Sequence, residues 1–193
     1  MVHALGQLSA ESGQKAMMSL QVVKSKSFTL GSGQFLTTEG ALMAKPLPEA
    51  IEAEVARLVA EAEELADDEE DARALALFQA GWELIPEPKA EWQRALQVLG
   101  GIADSQFHLG EYEACRRTMQ LALRSGGGPN NPFICLRLGQ CHLELGDEHG
   151  AGNWLTSAML VGGLEIFEGE DPKYWAFLRK QLDPPPGGWP AGW

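Results

Sequence analysis

The sequence is poor in basic residues and in cysteine, and each shortage excludes a class of function. Fifteen Lys and Arg stand against 27 Asp and Glu, which gives a formal net charge of -12 at pH 7. Because phosphate groups are bound by clustered Lys and Arg, we expect no direct nucleic-acid partner. Three cysteines occur, and an odd number does not make a disulfide framework. We therefore expect Cys115, Cys135 and Cys141 to be reduced thiols in the core.

Long apolar segments are also lacking. No apolar run approaches the roughly 20 residues that cross a membrane as a helix. The first residues lack the charged start, apolar centre and small-residue cleavage site of a signal peptide. These absences predict a cytoplasmic protein without a membrane partner.

Motifs that support catalysis or metal binding are missing as well. There is no Ser/His/Asp or Cys/His arrangement in a known context. Cys135 and Cys141 lie six residues apart with His142 beside the second, which is not a zinc spacing. Gly126-Gly127-Gly128 follows a predicted helix instead of preceding one, so it does not cradle phosphate. The sequence predicts no enzyme activity, no cofactor and no metal.

A pattern of two antiparallel helices is present in residues 132–159. Pro132 suits the first turn of a helix, and apolar or small residues follow at steps of three to four. Gly146 can close this helix in the left-handed conformation, and Asp147 can cap the next one. The second helix places Ala151, Leu155 and Ala158 on one face, where small residues allow close packing.

The same pattern recurs upstream. Gly110-Glu111 gives a turn 36 residues before Gly146-Asp147, and Cys115, Met119 and Ala122 take the places of Ala151, Leu155 and Ala158. The first helix of this middle repeat is predicted at about 90–109. A third copy lies further upstream, where only the second helix of the repeat matches the pattern, through Ala74, Phe78, Gly81 and Pro86. Its first helix is predicted at about 48–65. Three repeats are about the minimum for a continuous core.

This arrangement resembles the tetratricopeptide repeat (TPR), in which each repeat has a helix A and a helix B. The residues that carry the resemblance are Leu138-Gly139, Gly146-Asp147, Ala151, Leu155 and Ala158. Cys135 and His142 depart from it, since they stand where the family usually has Trp and Tyr. The resemblance implies an all-α, TPR-like α-solenoid of about three helix-turn-helix repeats.

Three regions are predicted along the chain. Residues 1–44 form a loosely structured extension rich in Ser, Gly, Gln, Thr and Met, in which 17–23 could form a short strand. Residues 45–182 form the helical domain, and its last helix starts at Asp171-Pro172 and caps the solenoid. Residues 183–193 form a Pro/Gly/Trp tail.

Acidic residues are concentrated between Glu49 and Asp71, where eleven of them stand against Arg57 alone. One interpretation is a solvated helix face that keeps the protein soluble. The other is electrostatic steering of a basic protein partner by Asp67, Asp68, Glu69 and Glu70. Charge alone does not choose between them.

In TPR arrays the A helices line the concave face, and the resemblance implies a set of partner-binding residues there. In the last repeat they are Phe133, Arg137, Gln140 and Glu144, and in the middle repeat Gln97, Asp104, Phe107 and His108. For any single residue of the set, an ordinary solvated helix position is the more common outcome, since few contact residues carry binding energy.

The region 46–182 resembles small bacterial TPR proteins that serve as immunity proteins of polymorphic toxin systems. The resemblance rests on residues 86–89, 91–92, 109–110, 131–133, 136–140, 165–167 and, most specifically, 170–174. It implies an antitoxin that neutralises a cognate, basic, secreted toxin domain. The alternative is a TPR-type secretion chaperone that binds a translocator or effector segment in its concave groove. A generic scaffold subunit remains if neither holds.

Overall fold

The computed structural model describes residues 44–184 and 186–189. Within this part of the chain all the regular elements are helices, so the predicted all-α fold is confirmed. The α-helices are α1 (Glu49–Asp67), α2 (Asp71–Leu84), α3 (Gln93–His108), α4 (Tyr112–Ala122), α5 (Pro132–Glu144), α6 (Glu148–Gly162) and α7 (Pro172–Arg179). Two short 3-10 helices cover Lys89–Glu91 and Leu164–Phe167. The strand predicted at 17–23 and the extension 1–43 lie outside the described residues.

Three helix pairs, α1/α2, α3/α4 and α5/α6, are closed by the same turn. In the last pair, the Gly146 amide donates to the Leu143 carbonyl at 3.0 Å and the Asp147 amide to that of His142 at 2.9 Å. The same two bonds run from Gly110 and Glu111 in the middle pair, and from Glu69 and Glu70 in the first. This is the turn that ends a helix on a left-handed residue. The predicted repeats are therefore confirmed, including the first, which the sequence showed only in part.

Glu69 differs from its counterparts because it holds the left-handed conformation without being glycine. Its φ is 61°, against 74° for Gly110 and 79° for Gly146. We expect Glu69→Gly to raise the free energy of unfolding by about 1 kcal/mol, because a non-glycine residue is strained there. Thermal unfolding should shift upward by about 2–4 °C. Glu69→Gln is the control, since it removes the charge but keeps the strain, and an equal gain in both variants would contradict the explanation.

Asp147 fixes the start of α6, as predicted. Its Oδ1 accepts a hydrogen bond from the Gly150 amide at 2.9 Å, and its Oδ2 lies 2.8 Å from Nδ1 of His142. The bond from the Gly150 amide, with that from His142, holds the pKa of Asp147 below its usual value. The turn between α5 and α6 is thus held by side-chain hydrogen bonds as well as by backbone hydrogen bonds.

The B helices bury the residues that the repeat pattern predicted. These are Ala74, Phe78 and Gly81 in α2, Cys115, Met119 and Ala122 in α4, and Ala151, Leu155 and Ala158 in α6. Each helix packs against the next along the chain, and three apolar clusters run through the stack. The core is therefore continuous from α1 to α7.

Helix α3 begins three residues later than predicted. Trp92 has extended backbone, with φ -95° and ψ 144°, so residues 89–91 form a separate 3-10 helix. The Lys45 amide donates to the Glu91 carbonyl at 2.8 Å, and the Gln93 amide donates to the Lys45 carbonyl at 2.9 Å. This pairing with the segment before α1 holds Trp92 outside the helix.

In the described part of the chain α1 is the first helix, and its outer face is charged. In the repeat register, Arg57 and Glu61 hold the places that Val98 and Ile102 hold in α3. Val98 and Ile102 are buried against the preceding repeat, whereas Arg57 and Glu61 are exposed and bonded to each other at 3.0 Å. A terminal repeat with a polar outer face is what a solenoid needs for solubility. Exposure of Arg57 and Glu61 is what the solvated-face interpretation requires, and that interpretation stays a prediction.

Candidate protein-binding site

A row of polar side chains runs across successive A helices. We call it the polar row. Its members are Glu52 and Glu63 on α1; Arg94, Gln97 and Asp104 on α3; Arg137, Gln140 and Glu144 on α5; and Glu170, Lys173 and Tyr174 in the C-terminal segment. Each contact in the row joins one A helix to the next, two neighbours on the same helix, or α5 to the C-terminal segment, so the row links the repeats.

The first part of the row joins α1 to α3. Nε of Arg94 donates to Oε1 of Glu52 at 2.6 Å, and Nε2 of Gln97 donates to Oε1 of Glu63 at 3.3 Å. Arg94 also donates to the Gln97 side chain. The guanidinium is therefore neutralised within the row.

Arg137 is the centre of the second part. Its side chain is only 5% exposed, and Nη2 lies 2.5 Å from Oδ1 of Asp104 on α3. Nη1 donates to Oε1 of Gln140 at 2.9 Å and lies 3.8 Å from Oε2 of Glu170. The guanidinium carbon also sits 4.2 Å from the ring centroid of Phe107. Carboxylates and an aromatic face together compensate the buried charge.

The C-terminal segment forms the third part of the row. Nε2 of Gln140 donates to Oε2 of Glu170 at 2.7 Å, and the Tyr174 hydroxyl donates to Oε1 of Glu144 at 2.5 Å. Nζ of Lys173 lies 2.6 Å from the same Glu144 oxygen. Burial, together with the bond to Glu144, raises the pKa of Tyr174, so the hydroxyl stays a proton donor. This segment thus covers part of α5.

The structure divides the predicted partner-binding residues into two groups. Gln97, Arg137 and Gln140 are buried and bonded within the chain. Asp104, Phe107, Phe133 and Glu144 are partly exposed, and His108 is exposed. His108 departs from the row, because its Nδ1 lies 3.0 Å from Oδ1 of Asp71 on α2. In the described conformation only the second group offers surface to a partner, and the binding role of all eight stays a prediction.

Several members of the row were missed from the sequence. Glu52, Glu63 and Arg94 lie on predicted A helices, but nothing in their spacing marks them as partners. Glu170 lies in the loop before α7, and Glu170 and Tyr174 were singled out as members of segment 170–174, for its resemblance to immunity proteins, and not as members of the row. Their pairing depends on how repeats stack, which local sequence does not show.

The four predicted steering residues, Asp67, Asp68, Glu69 and Glu70, lie at the turn between α1 and α2. All four are exposed, and Glu70 is paired with Arg73. Exposure is what steering requires, and the steering role itself stays a prediction.

The cysteines are free and buried, as predicted. The contact with Cys141, together with burial, raises the pKa of the Cys115 thiol, and burial raises that of Cys135. In the described part of the chain, no three His, Cys, Asp or Glu lie together so that they could hold a metal ion. No helix there is both long enough and apolar enough to span a membrane.

The same helical arrangement occurs in a solved structure. The crystal structure of PcrH from Pseudomonas aeruginosa matches 69% of this chain and 93% of that chain, with 20% sequence identity and a TM-score of 0.54. The fold is similar to that of PcrH. A second structure, PcrH in complex with the chaperone binding region of PopD, matches 69% of this chain and 87% of that chain, with 20% identity and a TM-score of 0.49.

No protein-family model matches the sequence, and no curated protein matches it. The likeness to PcrH confirms the TPR-like fold. The predicted likeness to immunity proteins receives no support from these comparisons.

Proposed function

We propose that this protein is a chaperone-like binding protein that holds a segment of a protein partner along its A helices, in the cytoplasm and without catalysing a reaction. The observation that carries the proposal is the polar row, which places partly exposed carboxylates and aromatic rings on successive A helices. A partner that lies across these helices can touch several repeats at once.

The charges of the row favour a basic segment. The side chains of Asp104 and Glu52 are 43% and 36% exposed. Arg94 is paired with Glu52 and Arg137 with Asp104. The row nevertheless holds an excess of negative charge, with five carboxylates (Glu52, Glu63, Asp104, Glu144 and Glu170) against three cations (Arg94, Arg137 and Lys173). A segment with Lys or Arg beside apolar residues would therefore meet carboxylates and the partly exposed rings of Phe107 and Phe133.

The fold supports the chaperone alternative over the immunity interpretation. PcrH, whose fold this chain shares, is known in complex with the chaperone binding region of another protein. An immunity protein would instead cover a folded toxin domain over a large area. We keep the protein partner and its basic character, and we propose a segment in place of a toxin domain.

The proposal is tested by removing exposed charge from the row without changing side-chain shape. The full chain serves as bait in the source cells, and partners retained by the wild type are compared with those retained by Glu52→Gln/Asp104→Asn. We expect the true partner to bind about three- to tenfold more weakly to the variant, since each partly exposed charge contributes modestly. Glu113→Gln on α4 is the matched control, because Glu113 is also ion-paired and exposed but lies on a B helix.

The form of the partner is then read from hydrogen exchange of the complex. Protection confined to one short segment of the partner supports the chaperone proposal. Protection spread over a folded domain, with inhibition of its toxicity, would establish the immunity interpretation instead. Equal binding by wild type and Glu52→Gln/Asp104→Asn would contradict the role of the polar row.

Charge reversal at the α1–α2 turn tests steering separately. Replacing Asp67, Asp68, Glu69 and Glu70 together by Lys should slow association with the basic partner about tenfold or more and flatten its salt dependence, with dissociation little changed. Stopped-flow association at several salt concentrations measures both. An unchanged association rate would leave these residues with a solubility role only.

A further inference from the structure

Two of the three cysteines meet at the boundary between the middle and last repeats. Cys115 lies on α4 and Cys141 on α5, and these two helices pack against each other. Both side chains are fully buried in the same apolar cluster. Their thiols are hydrogen-bonded to each other. The pair therefore links two repeats within the core.

The fold does not need thiols at these two places. At the boundary between the first and middle repeats, Ala74 and Ser105 hold the places of Cys115 and Cys141 in the repeat register, and both are buried. In the last repeat, Ala151 stands where the middle repeat has Cys115. Packing is thus achieved elsewhere in the stack without sulfur, so it does not account for the pair.

Cys135 lies apart from the pair. It precedes Cys141 by six residues on the same helix, and residues at this separation do not share a helix face. Cys135 packs in a different cluster, with Leu155 and Ala158. The chain therefore contains one pair of adjacent thiols and one separate buried thiol, which serves as an internal control.

The environment favours Cys141 as the reactive member of the pair. The hydrogen bond from Cys115 lowers the pKa of Cys141, and the charges of Arg137 and Arg116 lower it too, while burial opposes them. Because the thiolate is the nucleophilic form, Cys141 should react with an oxidant first. Cys115 then lies in contact with the oxidised sulfur.

We propose that Cys115 and Cys141 form an oxidation site, at which hydrogen peroxide joins the middle and last repeats through a disulfide. The Cys141 thiolate attacks one peroxide oxygen, the O–O bond breaks, and a sulfenic acid and hydroxide are formed. The Cys115 sulfur then attacks the Cys141 sulfur, so that the S–S bond forms, the S–O bond breaks and hydroxide leaves. The two thiol protons convert the two hydroxides into water. Two thiols are thus oxidised to one disulfide while one peroxide is reduced to two waters.

Burial sets the rate of this reaction. Neither sulfur is exposed, so peroxide reaches Cys141 only when the contact between α4 and α5 opens locally. We expect the folded protein to lose these two thiols at least about tenfold more slowly than the same chain in concentrated urea.

Peptide mapping identifies the disulfide, because trypsin places each cysteine in a different peptide. Cys115 falls in 95–116, Cys135 in 125–137 and Cys141 in 138–173. The reduced, folded full chain is treated with hydrogen peroxide, free thiols are alkylated with N-ethylmaleimide, and the digest is analysed by mass spectrometry with and without reduction. We expect 95–116 to be joined to 138–173, while 125–137 carries the alkyl group. In concentrated urea, pairs that include Cys135 should appear as well.

Cys115→Ala is the decisive variant, because alanine holds the same place in the other two repeats. It should lose the joined peptides and leave Cys141 as a sulfenic acid that dimedone labels. Cys135→Ala is the matched control and should form the disulfide at the wild-type rate. The oxidised wild type should unfold at a higher urea concentration than the reduced protein, because the bond closes the loop 115–141 in the unfolded chain. Dithiothreitol should reverse this shift.

Three results would overturn the proposal. They are a disulfide of the folded protein that includes Cys135, a disulfide between two chains, and absence of the joined peptides after about a hundred times the period that the chain in urea needs. No partner is required in these experiments, so their outcome is independent of the proposed function.

Discussion

Gly139→Ala is expected to lower the free energy of unfolding by about 1–3 kcal/mol, and Gly139→Leu by more, because the site has no room for a side chain. A Cβ on Gly139 would lie 2.6 Å from Cγ of Leu155 and 2.9 Å from its backbone nitrogen. The side chain could move, but the backbone of α6 could not without separating α5 from α6. Urea denaturation of the full chain, followed by circular dichroism, measures the loss.

Gly100→Ala is the matched control for this effect. Gly100 also lies inside an A helix, but a Cβ there would meet nothing within 4 Å. Since alanine favours helix over glycine, this variant should be more stable by up to about 1 kcal/mol. Leu155→Ala should cost less in the Gly139→Ala background than in the wild type, because the two residues share the contact. Equal midpoints for Gly139→Ala and the wild type would contradict the packing argument.

Arg137→Ala should cost about 3–5 kcal/mol, which is typical of breaking a buried ion pair by removing one partner. The change would leave the carboxylates of Asp104 and Glu170 without the cation that both approach. It would also remove the stacking on Phe107. The effect should appear in urea denaturation as a lower midpoint.

Two further variants separate charge from geometry at this site. Arg137→Lys keeps the charge but loses the planar fork, so it should retain only part of the stability. Arg137→Met combined with Asp104→Asn and Glu170→Gln removes all the charges together and should recover much of the loss. A loss below 1 kcal/mol in Arg137→Ala would show that the buried charge is compensated by other means.

The repeats could be predicted because their signals are local. Gly110 and Gly146 mark turns, and the small and large residues of α4 and α6 recur at a fixed spacing. The first repeat was harder, since Glu69 takes the left-handed conformation that glycine takes in the other two. The backbone hydrogen bonds from Glu69 to Ala66 and from Glu70 to Leu65 form the turn there, and a pattern read from residue types does not detect a turn without glycine.

The candidate site could be predicted only as a set of helices. The A helices were placed correctly, but Arg137 and Gln140 were expected to face a groove, and they are buried under Glu170 and the start of α7. Glu170 lies 30 residues from Gln140 in the chain. The three-dimensional stacking of the repeats decides which distant carboxylate covers a helix. The residue pattern of a single helix therefore does not predict this contact.

Arg137 also changes how the stack behaves as a whole. In a simple solenoid each repeat contacts only its neighbours, so repeats can open from an end one at a time. Here one side chain on α5 binds Asp104 of the preceding repeat and Glu170 of the segment that follows α6. Arg137 therefore joins the middle repeat, the last repeat and the segment before α7. If local unfolding starts at α7, it must expose the buried charge of Arg137 before it can spread to the repeats.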